Sequence, residues 1–302
     1  MAHQSKIPIK EGFIPFHGYK TWYRIVGDQD KPDKLPLLCL HGGPGFPHDY
    51  FEPLEAIAVP GRRIIFYDQL GCGNSNVPPD PSIYTMALYL EEVEAIRHVL
   101  GLERVHILGH SWGGMLAMEY ALTQPAGLAS LILADTAASS PQWVIEMRRL
   151  ITELPLDVQQ TILKHEEAGT TDSSEYQEAV NTFFRHHSGI RIDPRPDYLT
   201  RMAGKPGDDV YRIMWGPSEF FMTGTLKDWD VTGRLGKIHS PTLVIGGRYD
   251  HATPLLTEAL HRGLHNSEWV IFENSGHFPH IDETERFLQV LKQFINRVEA
   301  QM

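Results

Sequence analysis

Across residues 1–137 and again across 238–302, apolar residues come in short runs that end in polar or glycine-rich loops. Residues 12–16 and 19–26 are β-rich and are separated by His17-Gly18, a hairpin pattern that opens an antiparallel edge. Residues 35–40 (L-P-L-L-C-L) are continuously apolar, as expected of a strand buried on both faces. Residues 63–68 read as a further short strand. Over 86–100, Leu88, Val93, Ile96, Val99 and Leu100 oppose Glu91, Glu92, Glu94 and Arg97, which predicts an amphipathic helix closed by Gly101. Strands follow at 105–108 and 128–134, the second ending at Asp135. From 138 to 237 the pattern changes: 142–154, 156–168 and 172–187 have helical spacing, 190–209 is rich in Pro, Gly and Asp, and no buried-strand run occurs. Strands resume at 241–247 and 268–272, with helices over 255–264 and 284–299. This rhythm predicts an α/β fold with a mostly parallel sheet and helices on both faces. Its core is 1–137 plus 238–302, and 138–237 is an inserted helical lid (cap).

The chemistry centres on Gly109-His110-Ser111-Trp112-Gly113, a G-x-S-x-G sequence between the strand at 105–108 and a helical pattern that begins at Met115. A serine on so tight a strand-to-helix turn has strained backbone angles, and its flanking glycines relieve the crowding. The hydroxyl is then exposed above the sheet. The following helix aims its free N–H groups and positive dipole end at the same spot. Ser111 is therefore the candidate nucleophile.

His41-Gly42-Gly43-Pro44-Gly45 directly follows the buried strand at 35–40. A glycine loop in that place lets backbone N–H groups approach an oxyanion. Pro44 has no N–H, so the expected donors are Gly43 and, on the other side, Trp112. A serine nucleophile also needs a base to take its proton and an acid to orient that base, and in an open parallel sheet both lie at carboxyl ends of strands. Asp250 and His277 follow the last two strands, in the order Ser, Asp, His. Asp135, also at a strand end, is the alternative acid. His280, His251 and His110 are rivals for the base; His280 and His251 read as loop structure, and the His110 side chain is expected to point away from the hydroxyl's reaction partner. Asp68 precedes the nucleophile and is expected to order its own loop.

Composition narrows the function. A formal net charge of −11 with no Lys/Arg run argues against nucleic acid or an anionic membrane as partner. Cys39 and Cys72 make neither a disulfide framework nor a zinc site, and no apolar run suggests a signal peptide or a membrane span, so a cytoplasmic protein is expected. The sixteen histidines show no H-E-x-x-H arrangement and are expected mostly at the surface or in loops; no metal and no organic cofactor is implied.

His41 to Gly45, the run Asp68-Gln69-Leu70-Gly71-Cys72-Gly73-Asn74-Ser75, Gly109 to Gly114, Gly247 to Asp250 and Ser275 to His277 together resemble the proline iminopeptidase family of α/β-hydrolases. Within the lid, Met214-Trp215-Gly216-Pro217-Ser218-Glu219-Phe220 and Gly224-Thr225-Leu226-Lys227-Asp228-Trp229 are similar to the branch with tricorn-interacting aminopeptidases and bacterial L-amino-acid amidases (L-proline amide hydrolases). His165-Glu166-Glu167-Ala168-Gly169-Thr170 and the stretch from Phe183 to His187 bring the amidases closest. The resemblance implies an α/β-hydrolase fold and cleavage of the amide bond after an unblocked N-terminal residue, often proline. The substrate is then a small molecule or short peptide with a free amino group, and Glu219 matches a lid glutamate that binds that amine. A second amine-binding glutamate has no match over 190–197, where Asp193 is the nearest carboxylate, and this departure leans toward small amino-acid amides. An esterase or lactonase with the same triad is the competing enzyme reading, and a non-catalytic receptor or scaffold is the competing class.

Overall fold

The computed structural model describes residues 7–302 apart from 191 and 193. Eight strands form one sheet: β1 (Ile9–Phe16), β2 (Tyr19–Val26), β3 (Leu37–Leu40), β4 (Ile64–Asp68), β5 (Val105–His110), β6 (Leu128–Ala134), β7 (Thr242–Gly247) and β8 (Ser267–Phe272). Their spatial order is β1-β2-β4-β3-β5-β6-β7-β8. β2 pairs antiparallel with both β1 and β4, and every pair from β4 to β8 is parallel.

Both faces of the central strands are dry, and successive residues alternate between two cores as the two-residue strand period requires. Leu38, Leu40, Ile65, Tyr67, Ile107, Leu131, Leu133 and Val244 point to one side, where they meet α1 (Met86–Val99) and α2 (Trp112–Leu122). Leu37, Cys39, Ile64, Phe66, Leu108, Ile132, Leu243 and Ile245 point to the other. The C-terminal helix covers that second face with Phe287, Leu291, Phe294, Ile295 and Val298. A strand in such a place must be apolar throughout, which is why these runs are legible in the sequence.

The region between β6 and β7 is helical. It contains α3 (Ser140–Ile151), α4 (Leu156–Ala168), α5 (Ser174–His187), α6 (Asp197–Met202) and α7 (Asp208–Met214). α3, α4 and α5 answer the three expected helices. The other two are short, and they lie in or at the edge of the Pro- and Gly-rich stretch, where no periodicity announces them. Irregular 3-10 turns over His48–Ile57, interrupted by Pro53, were likewise not foreshadowed by any regular spacing. After β7 come α8 (Pro254–Gly263), the single turn α9 (Pro279–Asp282) and α10 (Thr284–Glu299). Among the described residues no helix is long and apolar enough to cross a membrane.

Register brings the chemistry together. Leu40 lies opposite Gly109, His110 opposite Ala134, and Ala134 opposite Ile245, so the loops after β3, β5, β6 and β7 leave the sheet along one edge.

Candidate active site

Ser111 sits between β5 and α2 with φ 55° and ψ −122°, a region that non-glycine residues occupy at a cost of order 1–3 kcal/mol. Its neighbours make the turn possible. A Cβ on Gly109 would lie 2.2 Å from the Gly113 carbonyl oxygen, and one on Gly113 would lie 2.0 Å from that of Leu40. Main-chain bonds then clamp the turn: Ser111 N donates to Ala134 O at 2.9 Å, and Thr136 Oγ1 donates to Ser111 O at 2.8 Å.

His277 and Asp250 meet. The Nδ1–H of His277 donates to Asp250 Oδ1 at 2.8 Å, with both side chains buried. That bond fixes the tautomer and leaves the Nε2 lone pair as the basic site. Ser111, His277 and Gly43 line one cavity of about 530 Å³, the size of a small-ligand pocket. Phe46, Val180, Phe184, Met202, Tyr211 and Phe278 supply apolar wall.

The glycine loop has a defined hydrogen-bond economy. Gly42 N is committed to Tyr50 OH at 2.6 Å, which leaves Gly43 (φ 112°) as the amide next along the loop at the cavity. Trp112 is the first residue of α2, and an amide there has no intrahelical acceptor. Gln69 pins the two segments to each other: its Nε2 donates to His41 O at 3.0 Å and its Oε1 accepts from Trp112 Nε1 at 2.8 Å. The backbone N–H of Gln69 donates to His41 Nε2 at 2.8 Å, so this imidazole is neutral, consistent with burial lowering its pKa to about 4. In the sequence Gln69 stands out only as part of the run from Asp68 to Ser75. Its position one residue past β4, at the edge that carries the site, is the signal that could have singled it out.

Glu219 lines the same cavity as Ser111 and His277. Tyr211 OH donates to its Oε1 at 2.7 Å. Burial pushes the Glu219 carboxyl up to about 7, against the lowering effect of that hydrogen bond and of His277. Asp193 lies outside the described residues.

Most described histidines lie at the surface or in loops as expected, and His251 is in a loop; His110 departs from its reading. Among the described residues seven histidines are buried, including His110, His251, His277 and His280. His110 does not point away from the base: its ring centroid is 4.7 Å from that of His277. His251 lies 4.2 Å from His277, centroid to centroid, and its Nδ1 contacts Ser188 Oγ and lies 3.3 Å from Asp250 Oδ1. Burial lowers His251 and His280 each to about 3, so both are neutral spacers at ordinary pH. Asp250, His251 and His277 bring ligand-type atoms within 4.8 Å of one another, and here those atoms are engaged in this hydrogen-bonded cluster.

Asp68 orders its loop as expected. Its carboxylate accepts from Asn74 N at 2.7 Å, Asn74 Nδ2 at 2.8 Å and His48 N at 2.8 Å. Asp135 is buried beside Asp250 and does not contact His277 through any hydrogen bond described.

Comparison with known proteins agrees with this geometry. A family model of the alpha/beta hydrolase fold matches residues 36–284. The proline iminopeptidase of Clostridium botulinum is 40% identical over 290 residues, covering 96% of this chain and 99% of that protein. That of Lactobacillus delbrueckii subsp. bulgaricus is 41% identical over 292 residues, covering 95% and 98%. Among solved structures, the proline iminopeptidase of Mycobacterium smegmatis superposes with a TM-score of 0.86 at 36% identity over 97% of this chain and 99% of that one. VinJ superposes with a TM-score of 0.88 at 38% identity, covering 96% and 99%. With the fold, the order of strands and end-to-end likeness to these relatives in agreement, the chain belongs to the proline iminopeptidase family of α/β hydrolases.

Proposed function

We propose that the protein is a serine hydrolase that removes an N-terminal proline or similar residue with a free amine, acting on short peptides and on amino-acid amides. The observation that carries this reading is the Glu219 carboxylate, set in the wall of the same largely apolar cavity as Ser111 and His277. A cationic amine entering such a cavity needs a paired charge, and a carboxylate there selects substrates that bring one. The preference for small amides over longer peptides is supported by the amidase-like lid segments. Residues 138–237 act as the lid that holds Glu219 over the sheet.

In this reading His277 Nε2 takes the hydroxyl proton of Ser111 as Oγ attacks the substrate carbonyl carbon. The N–H groups of Gly43 and Trp112 stabilise the oxyanion that forms. His277 then gives the proton to the departing amine, the C–N bond breaks, and an acyl-enzyme remains. Water attacks that ester with His277 again as base, and Ser111 is regenerated. Asp250 keeps Nδ1 protonated throughout. Two buried free thiols, Cys39 and Cys72, fit a reducing compartment such as the cytoplasm.

The test is kinetic. L-prolinamide and L-proline p-nitroanilide, each with free and with acetylated amine, are compared with p-nitrophenyl acetate in the wild type and in Glu219→Gln. Turnover of the free-amine amides that falls in the variant supports the reading. Ester turnover with no aminoacyl-amide turnover would replace it with an esterase.

A further inference from the structure

Asp135, just past the end of β6, is buried to zero exposure and has φ 52°, a left-handed conformation like that of Ser111 one strand away. Its Oδ1 accepts the N–H of Gly247 at 3.0 Å, at the end of the strand that delivers Asp250. The side chains of Asp135 and Asp250 lie within interaction range of each other. Oδ2 of each is buried and has no hydrogen-bond partner among the described residues. Ionised carboxylates only accept, so these two orphaned oxygens can satisfy each other only when one carboxyl carries a proton. Two bare charges in contact in a dry site would repel strongly, which is the condition under which a pair of carboxyl groups retains one proton.

The surroundings decide which group holds it. Asp250 receives the Nδ1–H of His277 at 2.8 Å and lies 3.3 Å from His251 Nδ1. Asp135 receives a single amide N–H. The other charged or titratable groups facing Asp135 do not favour its ionisation. His110 Nε2 is 4.0 Å from Oδ2 but is committed to the His277 carbonyl, and burial holds that imidazole neutral. Asp282 adds a further negative charge, and Tyr50 brings none. Burial and the Asp250 charge accordingly raise the Asp135 carboxyl well above the carboxylate range, whereas Asp250, pushed up by burial, is brought below its ordinary value chiefly by His277 and the hydrogen bond that it donates.

We propose that Asp135 is a positioning residue of the reaction: as a neutral acid it donates its proton to Oδ2 of Asp250 and so fixes the plane of the carboxylate whose Oδ1 holds His277. The proposal rests on Ser111, Asp250 and His277 being the catalytic groups. The pair then carries one negative charge and one shared proton, and the orienting carboxylate cannot rotate away from the imidazole. No proton leaves Asp135 during turnover.

The full-length enzyme is assayed on L-proline p-nitroanilide across pH as wild type, Asp135→Asn, Asp135→Ala, Ser111→Ala and His277→Ala. The amide of Asp135→Asn offers an N–H to Asp250 and an oxygen to Gly247, so it reproduces the protonated acid. Its kcat stays within about threefold of wild type and the acid limb of kcat/KM does not move. Asp135→Ala leaves Oδ2 of Asp250 without a donor, and kcat falls roughly tenfold or more while KM stays within about twofold. If Asp135 were ionised in the wild type, Asp135→Asn would delete a negative charge beside the His277–Asp250 pair and shift the acid limb to lower pH by more than about half a unit, which overturns the proposal. Wild-type kcat in a folded Asp135→Ala overturns it too. If that variant does not fold, the pH profile of Asp135→Asn alone decides. Activity surviving in Ser111→Ala or His277→Ala sinks the catalytic reading itself, and so is distinguishable from a failure of Asp135 alone.

Discussion

The Nε2–H of His110 donates to the main-chain carbonyl of His277 at 2.7 Å, so the strand that ends in the nucleophile is bonded to the loop that carries its base. A carbonyl only accepts, which fixes the His110 tautomer and makes Nδ1 an acceptor for Tyr50 OH at 3.1 Å. Tyr50 OH in turn accepts from Gly42 N at 2.6 Å. The loop of Gly43, the elbow and the base loop are thus strung on one chain of hydrogen bonds, through an imidazole that burial holds well below its usual pKa.

Truncating that link removes the donor to a buried carbonyl and the acceptor of a buried hydroxyl. His110→Ala should lower stability by about 1–3 kcal/mol, read from denaturant unfolding, and should lower kcat more than it raises KM. Unchanged unfolding and unchanged kcat would show that the link carries neither.

The nucleophile itself is tested by labelling. A fluorophosphonate should attach to Ser111 in the wild type, identified by mass spectrometry of the modified peptide, and labelling should disappear in Ser111→Ala. His277→Ala should slow labelling by at least about a hundredfold, since the base contribution is typically 10²–10⁴. Equal labelling rates in both proteins would remove His277 from the role of base.

Space at the elbow sets a second kind of limit. In Gly109→Ala the new methyl would meet the Gly113 carbonyl oxygen at 2.2 Å, and in Gly113→Ala it would meet that of Leu40 at 2.0 Å. Backbone on both sides must shift. Each variant should lose about 1–3 kcal/mol or more of stability together with its activity. By contrast Gly101→Ala, with open space around its Cβ but φ 64°, should lose part of that stability with kcat retained.

A raised Glu219 makes substrate binding pH-dependent. With its carboxyl near 7, the group is ionised above that pH and neutral below it. A protonated amine pairs only with the ionised form, so KM for L-proline p-nitroanilide should rise as pH falls through about 7. The substrate's own amine loses its proton above about 8, which closes the window on the alkaline side. KM for p-nitrophenyl acetate should stay flat over the same range, and Glu219→Gln should abolish the difference between the two substrates. An identical KM profile for amine and ester would exclude Glu219 as the amine's partner.

Far from the cavity, Glu299 governs acid stability. It accepts from Arg62 Nη1 at 2.7 Å and Nη2 at 2.8 Å, from His106 Nε2 at 3.3 Å and from Leu35 N at 2.8 Å, tying the end of α10 to the start of β3. Burial opposes its ionisation, but these partners bring the carboxyl down to about 2. Because the folded pKa is below the unfolded value of about 4.3, the stabilisation is complete above the latter and is lost as pH falls from there toward 2. Glu299→Ala, which leaves Arg62 buried and unpaired, should cost about 3–5 kcal/mol at neutral pH and flatten the stability profile in that acid window. A variant with the wild-type profile would show that other carboxylates set it.

The primary structure alone determined the strands, the longer helices and the three candidate catalytic residues. Continuous apolar runs mark strands buried on two faces, and Ser111 between glycines, Asp250 and His277 stand at strand ends because a parallel sheet places chemistry there. The bounds of β2, β6, α4 and α10 coincide with the periodicity, since each begins or ends at a change of pattern. What no linear pattern could carry is partnership. Gln69 bridging His41 and Trp112, His110 reaching across to the His277 carbonyl, and Asp135 against Asp250 are contacts between residues brought together only by sheet register. The same physics explains the buried histidines: an imidazole is polar in composition, yet neutral and hydrogen-bonded it is a buried spacer, and only the packed structure supplies the partners that make it so.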